Sequence, residues 1–415
     1  MILCRWKCHV GGMGGIKPVK RIVMLLLVLG LALGVQASEI ELREDHPREY
    51  VVQPGDTLWD IASRFLTRPW QWPAIWQANP QIDNPHLIFP GDVISLVFIG
   101  GEPRLMVDDS VRRLSPQVRR EALDRPITTL PLDAIAPFLR YPRVVSEEDF
   151  ADLPYIIANQ EQRIFAGSGD RTFARGMGDA QVGDEVVIAR LAFQFVDRSE
   201  AAVGDRGMRR NRMRTGHAQV PFRERPSSEI WQNTFGQLEV FDYPVIGYEL
   251  YEAGRAMVVQ AGDPAILLIG DGRREVMAGD LVLPVDDFVP EEQFFPRAMD
   301  TVPENGRVLS ITEAYYGVGH YQIVAINLGT ADGIEPGHMF SAFRPGDTIR
   351  DNFRYPRMSR AAFQSPDRVH VTLPEEYAGQ IMVFRPFERI SYAIVLDGTN
   401  AIRINDVLDH PDRTL

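Results

Sequence analysis

The pattern of hydrophobic and polar positions changes period several times between residues 50 and 97. Residues 50–52 are aromatic and β-branched, which predicts a short strand, and Pro54-Gly55 predicts a turn after it. Thr57 then caps a helix, with Asp60 three residues later as its acidic capping-box partner. The helix has one apolar face that we expect to be buried: Leu58, Ile61, Ala62 and Phe65.

Two further elements complete this N-terminal pattern. Residues 72–78 predict a second short helix, because Pro73 is tolerated in a first helical turn and Asn79-Pro80 ends the helix. Pro90-Gly91 then turns the chain into a strand over residues 93–97. The predicted order is strand, helix, helix, strand.

From residue 144 onward the pattern is mostly that of short strands separated by turns. The predicted strands of a first unit are residues 155–158, 183–190, 247–250, 255–260, 265–269 and 280–284, and those of a second are 308–311, 320–328, 338–343, 380–385 and 392–396. Three strands follow a glycine and a polar residue: Gly183-Asp184, Gly279-Asp280 and Gly337-His338. Glycine supplies a positive-φ turn there, which is typical of small β-barrels or sandwiches.

A chain of 415 residues is too long for one ordinary core, so we expect several domains. The predicted fold class is α+β multidomain: a small strand-helix-helix-strand domain followed by mostly β-rich units. The predicted boundaries are a signal peptide at 1–37, the small domain at 38–100, a linker with short helices at 101–145, one of them over 112–125, and β-rich domains at 146–289 and 290–415.

The first 37 residues have the pattern of an export signal. Lys17, Lys20 and Arg21 precede an apolar run over 22–35, and small residues follow up to Ala37. The run is shorter than the roughly 20 apolar residues that span a bilayer, so it predicts a cleaved signal peptide and export to the periplasm. A retained membrane anchor is the alternative, and Met13 is an alternative start.

Charge and cysteine content narrow the function classes. The net charge is −12, and residues 1–37 hold five of the 44 basic residues and none of the 56 acidic ones, so the remainder carries −17. Such an acidic chain is a poor general ligand for nucleic acid or anionic lipid. Both cysteines, Cys4 and Cys8, precede the apolar run, so the chain beyond residue 37 has neither a disulfide nor a thiol.

The residues beyond the signal region contain no recognisable catalytic pattern. Their histidines are scattered, without the His-x-His or His-Glu-x-x-His spacing of a zinc site. Thiol nucleophiles are absent, no lysine follows Lys20, and Gly167-Ser168-Gly169 does not fit a Gly-x-Ser-x-Gly elbow. The Glu-Ser motif of lytic transglycosylases is also absent. The sequence therefore predicts no catalytic residue, no metal ligand and no cofactor.

Residues 50–96 resemble the LysM module. The matching pieces, in order, are the Tyr-Val-Val-x-x-Gly-Asp-Thr-Leu opening, the Ile-Ala-x-x-Phe helix, the Trp-x-x-Asn-Pro segment and the Leu-Ile-x-Pro-Gly-Asp close. The resemblance implies two helices packed on a two-stranded antiparallel sheet. It also implies binding of N-acetylglucosamine-containing glycans, in bacteria usually peptidoglycan.

The resemblance further implies a shallow groove in which backbone groups of two loops hydrogen-bond the acetamido group of the sugar. The glycan contacts carried over are Gly55, Asp56, Thr57, Leu58, Asn79, Pro80, Gln81 and Ile82. Helix capping is the competing role for Asp56 and Thr57, and burial in the core is the competing role for Leu58 and Ile82. Trp70 is a candidate for stacking on a sugar, whereas Trp72 and Trp76 are predicted to be core.

Nearly the full chain is similar to the type IV pilus secretin-associated protein family of Gram-negative bacteria, whose C-terminal part is FlgT-like. The likeness rests on the order of the segments, the inserted residues 69–73, the stretch 241–249 and the turn at 334–338. It implies a non-catalytic scaffold that ties an outer-membrane secretin ring to peptidoglycan, and we expect a homo-oligomeric ring. The alternatives are a LysM-targeted peptidoglycan hydrolase and a LysM scaffold for another envelope complex.

The arginine-rich loop at 204–225 departs from that family's pattern. A solvated insertion and a contact with an acidic partner or an anionic wall polymer are both open interpretations.

Overall fold

The computed structural model describes residues 40–76, 88–108, 127–140, 142–197, 245–285, 294–312, 317–364 and 368–413. The predicted signal peptide, the predicted helix over 112–125 and the arginine-rich loop at 204–225 lie outside these residues. In the described ranges, no helix combines the length and the apolar character needed to cross a membrane.

The N-terminal module, residues 42–108, is a small antiparallel sheet with two short helices. Its elements are β1 (Glu49–Val51), α1 (Leu58–Phe65), a 3₁₀ turn (Pro69–Gln71), α2 (Trp72–Trp76), β2 (Val93–Ile99) and β3 (Glu102–Asp108). The sheet has three strands, not the expected two, with β2 between β1 and β3. Gly100 and Gly101 both have positive φ, so they close a tight hairpin that returns the chain onto β2 at the start of the predicted linker.

The predicted apolar face of α1 is confirmed, because all four of its residues are buried. Trp72 and Trp76 are buried as predicted, and their rings pack edge to face at 6.5 Å. Trp59 is also buried, although it lies off that face. Its partners come from the rest of the chain.

The first barrel lies within residues 142–284. After α3 (Leu132–Arg140), its elements are β4 (Pro142–Val145), α4 (Glu147–Asp152), β5 (Tyr155–Asn159), β6 (Phe165–Ala166), β7 (Arg171–Arg175), β8 (Glu185–Val196), β9 (Val245–Gln260), β10 (Ala265–Gly272), β11 (Val276–Met277) and β12 (Leu281–Pro284). The order β10-β7-β5-β12-β8-β9 closes on itself because β10 also pairs with β9, and β4 extends the sheet beyond β9. β6 and β11 pair separately.

The second barrel follows at residues 306–409. Its elements are β13 (Val308–Ile311), β14 (Ile323–Ile326), a 3₁₀ turn (Thr330–Asp332), β15 (Met339–Arg344), β16 (Thr348–Arg350), α5 (Arg360–Gln364), β17 (His370–Thr372), β18 (Glu376–Pro386), β19 (Ser391–Gly398) and β20 (Val407–Asp409). The sheet order is β13-β14-β19-β18-β15-β20. A bridge between Arg307 and Val407 brings β20 beside the start of β13 and completes the ring. β16 and β17 form a separate hairpin.

Most predicted strands are confirmed, although several are longer than expected. The predicted strands at 247–250 and 255–260 are parts of the single strand β9. The sequence analysis missed the short strands β4, β6, β7, β11, β16, β17 and β20. These are two to five residues long, too short for an alternating pattern to stand out.

One four-residue turn recurs in the N-terminal module and in both barrels. Its third residue has positive φ, and the side chain of its fourth residue accepts a hydrogen bond from the N–H of the first. Copies with Gly-Asp at the last two positions begin at Gln53, Phe89, Gly167, Gln181 and Met277. The predicted positive-φ glycines are confirmed at Gly183, Gly279 and Gly337, with φ of 100°, 97° and 92°. The repeated Gly-Asp pattern therefore reflects a shared local turn structure.

A junction core joins the three parts of the chain. Outward-facing residues of β14, β15, β18 and β19 pack against Trp59, α3 and the ends of β8 and β9. Its buried members include Trp59, Leu130, Ile135, Phe138, Phe193, Ile246, Phe294, Ile323, Met382, Phe384, Tyr392 and Ile394. The alternate residues of the same strands line the interior of the second barrel. Leu42–Leu415 accordingly behaves as one compact unit.

Candidate functional site in the N-terminal module

The start of α1 is fixed by a reciprocal capping box, as predicted. The Asp60 N–H donates to Thr57 Oγ1 at 3.2 Å, and the Thr57 N–H donates to Asp60 Oδ2 at 3.0 Å. The Thr57 hydroxyl also donates to Asp60 Oδ2 at 2.7 Å. Only 3% of Thr57 is exposed, so in this conformation its side chain serves the helix cap rather than the surface.

Asp56 shapes the loop between β1 and α1. Its Oδ2 accepts from the Tyr50 hydroxyl and from the Gln53 N–H, both at 2.8 Å. Burial, and then the hydrogen bond to this carboxylate, raise the pKa of Tyr50. Gly55, at φ 95°, lies exposed at the tip of the turn. Of the four predicted contacts on this loop, Gly55 therefore presents the most open backbone.

The backbone N–H of Leu58 is already engaged within the chain. It is the first helical residue of α1, so its N–H has no acceptor inside the helix. It donates to the Thr128 carbonyl at 3.0 Å, and the adjacent Ile127 N–H donates to the Ile88 carbonyl at 2.9 Å. The Leu58 side chain is buried as well, at 2% exposure.

The second barrel also reaches the start of α1. The Tyr321 hydroxyl donates to Asp60 Oδ1 at 2.7 Å and lies 3.4 Å from Thr57 Oγ1. Burial raises the pKa of Tyr321, and its hydrogen bond to Asp60 adds to that rise. A cavity of about 240 Å³ opens beside this contact, lined by Arg43, Trp59, Asp60, Ser63, His320 and Asp397 among others. Sequence reasoning missed Tyr321 because no local motif surrounds it.

The remaining predicted contacts divide into two groups. Trp70 is partly buried against the junction core. Asn79, Pro80, Gln81 and Ile82 lie outside the described residues. The structure thus places the four residues 55–58 on one loop, and the second predicted loop, residues 79–82, stays a prediction.

Comparison with known proteins identifies this module. Residues 50–97 match the LysM domain family. They form a LysM domain. The chain is also similar to the uncharacterized protein YqbP of Bacillus subtilis (strain 168), with 37% identity over 60 residues. That likeness covers 12% of this chain and 27% of the relative, so the chain spans about a quarter of the relative's length.

LysM is a binding domain for peptidoglycan or related carbohydrate, and it is not catalytic. Among the described side chains, no group of three or more His, Cys, Asp or Glu residues is placed to hold a metal ion. In the described residues, the capping box and the Gly-Asp turn at 53–56 organise the loop before α1, and a second Gly-Asp turn at 89–92 leads into β2.

Proposed function

We propose that this protein is a non-catalytic peptidoglycan-binding protein of the periplasm, exported by the signal at residues 1–37. The observation that carries the proposal is the LysM domain at residues 50–97, whose first glycan loop keeps its turn and capping geometry. Glycan recognition in this proposal uses backbone hydrogen bonds and apolar contacts to N-acetylglucosamine.

Co-sedimentation with purified peptidoglycan tests this function. Peptidoglycan stem peptides carry carboxylates and the exported chain carries −17, so charge attraction does not assist binding. We expect full-length protein to sediment equally at low and high salt, and soluble chitin oligomers to compete. Ile82→Asp, which replaces a predicted apolar contact by a charge, should abolish sedimentation at unchanged circular dichroism, whereas Gln53→Asp, at an exposed glutamine outside the predicted contacts, should not. Binding that collapses with salt would instead point to the arginine-rich loop at 204–225.

We further propose that the β-barrels hold a protein partner, an outer-membrane secretin, and that several copies surround it as a ring. The support is the resemblance to the secretin-associated family and an exposed apolar surface on the second barrel. This surface, the hairpin lobe, is described at residues 348–364 and 368–373, with β16, α5 and β17. Phe353 is fully exposed, and Met358 and Phe363 are 87% and 74% exposed. Such side chains are typical of a protein contact.

The hairpin lobe is also basic, although the chain as a whole is strongly acidic. Residues 348–373 contain five arginines and two acidic residues. An acidic partner surface would therefore be attracted to the lobe, as it would to the arginine-rich loop at 204–225.

Binding of purified secretin to lobe variants tests the partner. Phe353→Ser with Phe363→Ser should lose secretin capture at unchanged melting temperature, because neither side chain packs in a core. Phe98→Ser, at a 62% exposed phenylalanine of the LysM domain, is the matched control and should retain capture. Equal capture of secretin by both variants would show that the hairpin lobe is not the secretin contact.

Fractionation tests the location. Periplasmic protein should begin at or near Ser38 by N-terminal sequencing, and an intact N-terminus held in the membrane would contradict export by cleavage.

A further inference from the structure

The segment Ile127–Leu130, here called the covering segment, lies across the LysM domain at the predicted glycan edge. The Ile127 N–H donates to the Ile88 carbonyl at 2.9 Å, and the Thr128 carbonyl accepts from the Leu58 N–H at 3.0 Å. Ile88 belongs to the connection from α2 to β2, and Leu58 begins α1. The covering segment therefore joins the start of α1 to Ile88, the first described residue of the connection from which the LysM resemblance takes its second glycan loop.

These two contacts use the kinds of group that a sugar acetamido group also carries, an N–H donor and a carbonyl acceptor, here supplied by two different peptide units. An acetamido group offers one N–H donor and one carbonyl acceptor, and so does each peptide unit of an extended chain. Leu58 supplies a helix N-terminal donor, which must find an acceptor outside the helix. The Thr128 carbonyl fills that role in the present conformation.

Contacts on its far side hold the covering segment in place. Leu130 is fully buried in the junction core, and Ile127 is buried as well. The hydroxyl oxygen of Thr129 accepts from the Phe294 N–H at 3.0 Å, and Phe294 belongs to the same core. Removing the segment from the groove therefore disturbs the contact between the LysM domain and the second barrel.

We infer that residues 127–130 are an internal ligand of the LysM groove, and that a glycan binds there only when this segment is displaced. The inference rests on the proposed glycan binding. Its consequence is that the apparent glycan affinity of the full chain is lowered by the fraction of molecules whose groove is closed. Wall binding and the junction core are then linked, so each weakens the other.

Amide hydrogen exchange of the full-length protein tests the occupied groove without any glycan. The Leu58 amide should be protected in the wild type. Thr129→Val removes the acceptor for the Phe294 N–H at nearly constant side-chain shape, and Leu130→Ala weakens the packing of the segment in the junction core. In the double variant, the Leu58 amide hydrogen should therefore exchange at least about tenfold faster. An unprotected Leu58 amide in the wild type would overturn the inference, whatever the protein binds.

A disulfide tests the competition with glycan. Ile88→Cys with Ile127→Cys places thiols on two residues joined by a backbone hydrogen bond at 2.9 Å, and loss of free thiol on oxidation confirms the disulfide before binding is measured. The chain beyond residue 37 has no other cysteine. Chitin oligomers and peptidoglycan should bind the reduced protein at least about tenfold more tightly than the oxidised protein. The single variant Ile127→Cys is the control and should show no dependence on reduction.

Two outcomes separate this inference from the proposed function. Equal glycan binding by the oxidised and reduced forms would overturn the internal ligand while leaving peptidoglycan binding intact at another surface. If no form binds glycan, while the Leu58 amide is protected in the wild type and exchanges faster in the double variant, the proposed function is wrong. The covering segment would then still occupy the groove, but it would not compete with a glycan.

Discussion

The two β-barrels are each closed by six antiparallel strands, yet they bury their outer faces to different extents. In β19 of the second barrel, all residues from 391 to 396 are buried. In β10 of the first barrel, Ala265, Leu267 and Ile269 are buried, whereas Ile266 and Leu268 are partly exposed. Both strands read as continuous apolar runs. The apolar composition of a strand therefore does not reveal which barrel packs against another part of the chain.

The difference arises from what covers each barrel. Trp59 of the LysM domain, helix α3 and the ends of β8 and β9 lie on the second barrel and form the junction core. Among the described residues of the first barrel, a second part of the outer face, away from those strand ends, is covered by the short helix α4, where Phe150 stacks on Tyr248 at 4.2 Å. The second barrel is thus the platform on which the other parts assemble.

The largest expected effect contrasts matched apolar residues of the two outer faces. Ile394→Ala opens a cavity in the junction core and should lower the free energy of unfolding by about 3 kcal/mol. Leu268→Ala, at the partly exposed face of the first barrel, should cost less than about 1 kcal/mol. Urea denaturation followed by tryptophan fluorescence measures both. Equal losses would show that the first barrel's face is also covered.

A second prediction concerns the polar links of the first barrel. Arg190 binds both carboxylate oxygens of the buried Asp280, at 2.6 and 2.8 Å, and so ties β8 to the turn before β12. Arg190→Ala should cost about 2–3 kcal/mol because it leaves that carboxylate without its cation. Arg175→Ala breaks the half-exposed pair with Asp263 at 3.0 Å, and should leave stability nearly unchanged in the same denaturation experiment, because solvent screens this pair.

In the second barrel, the turn before β20 has the same form, because the Arg403 N–H donates to Asp406 Oδ2 and Asn405 has positive φ, and this turn should respond to pH instead. Burial raises the pKa of Asp406 to about 6, above its ordinary value of 3.8. The folded state then binds this proton more tightly than the unfolded state, so stability falls as pH rises from about 4 to about 6. Asp406→Asn should leave stability at pH 4 nearly unchanged and raise it at pH 8 by up to about 3 kcal/mol. A pH-independent difference between wild type and variant would contradict this account.

The smallest expected effect lies where the LysM domain meets the second barrel. Tyr321→Phe removes the 2.7 Å hydrogen bond to Asp60 but keeps the ring. It should cost about 1 kcal/mol, since this side-chain contact is only partly buried. The stronger readout is faster amide exchange at Leu58, where the same interface closes the groove. Unchanged exchange would mean that the covering segment holds without Tyr321.

The sequence by itself determined the features that depend on near neighbours in the chain. The capping box joins residues three apart, and the Gly-Asp turns close hydrogen bonds between first and fourth residues. Helix spacing predicted the buried face of α1, and apolar runs located the main strands of both barrels. The LysM resemblance rested on the same short motifs, which is why it was visible before any fold.

Only the tertiary structure decided how these pieces close and cover one another. Barrel closure requires β12 to pair with β5 and β20 to pair with the start of β13; both pairings join residues far apart in the chain, so neither leaves a local pattern. Tyr321 and Asp60 are 261 positions apart, yet their hydrogen bond sets the environment of the predicted glycan loop. Thr128 meets Leu58 through backbone atoms, which carry no residue identity. Whether the groove is open or occupied therefore depends on contacts between distant parts of the chain, and no short sequence motif indicates such contacts.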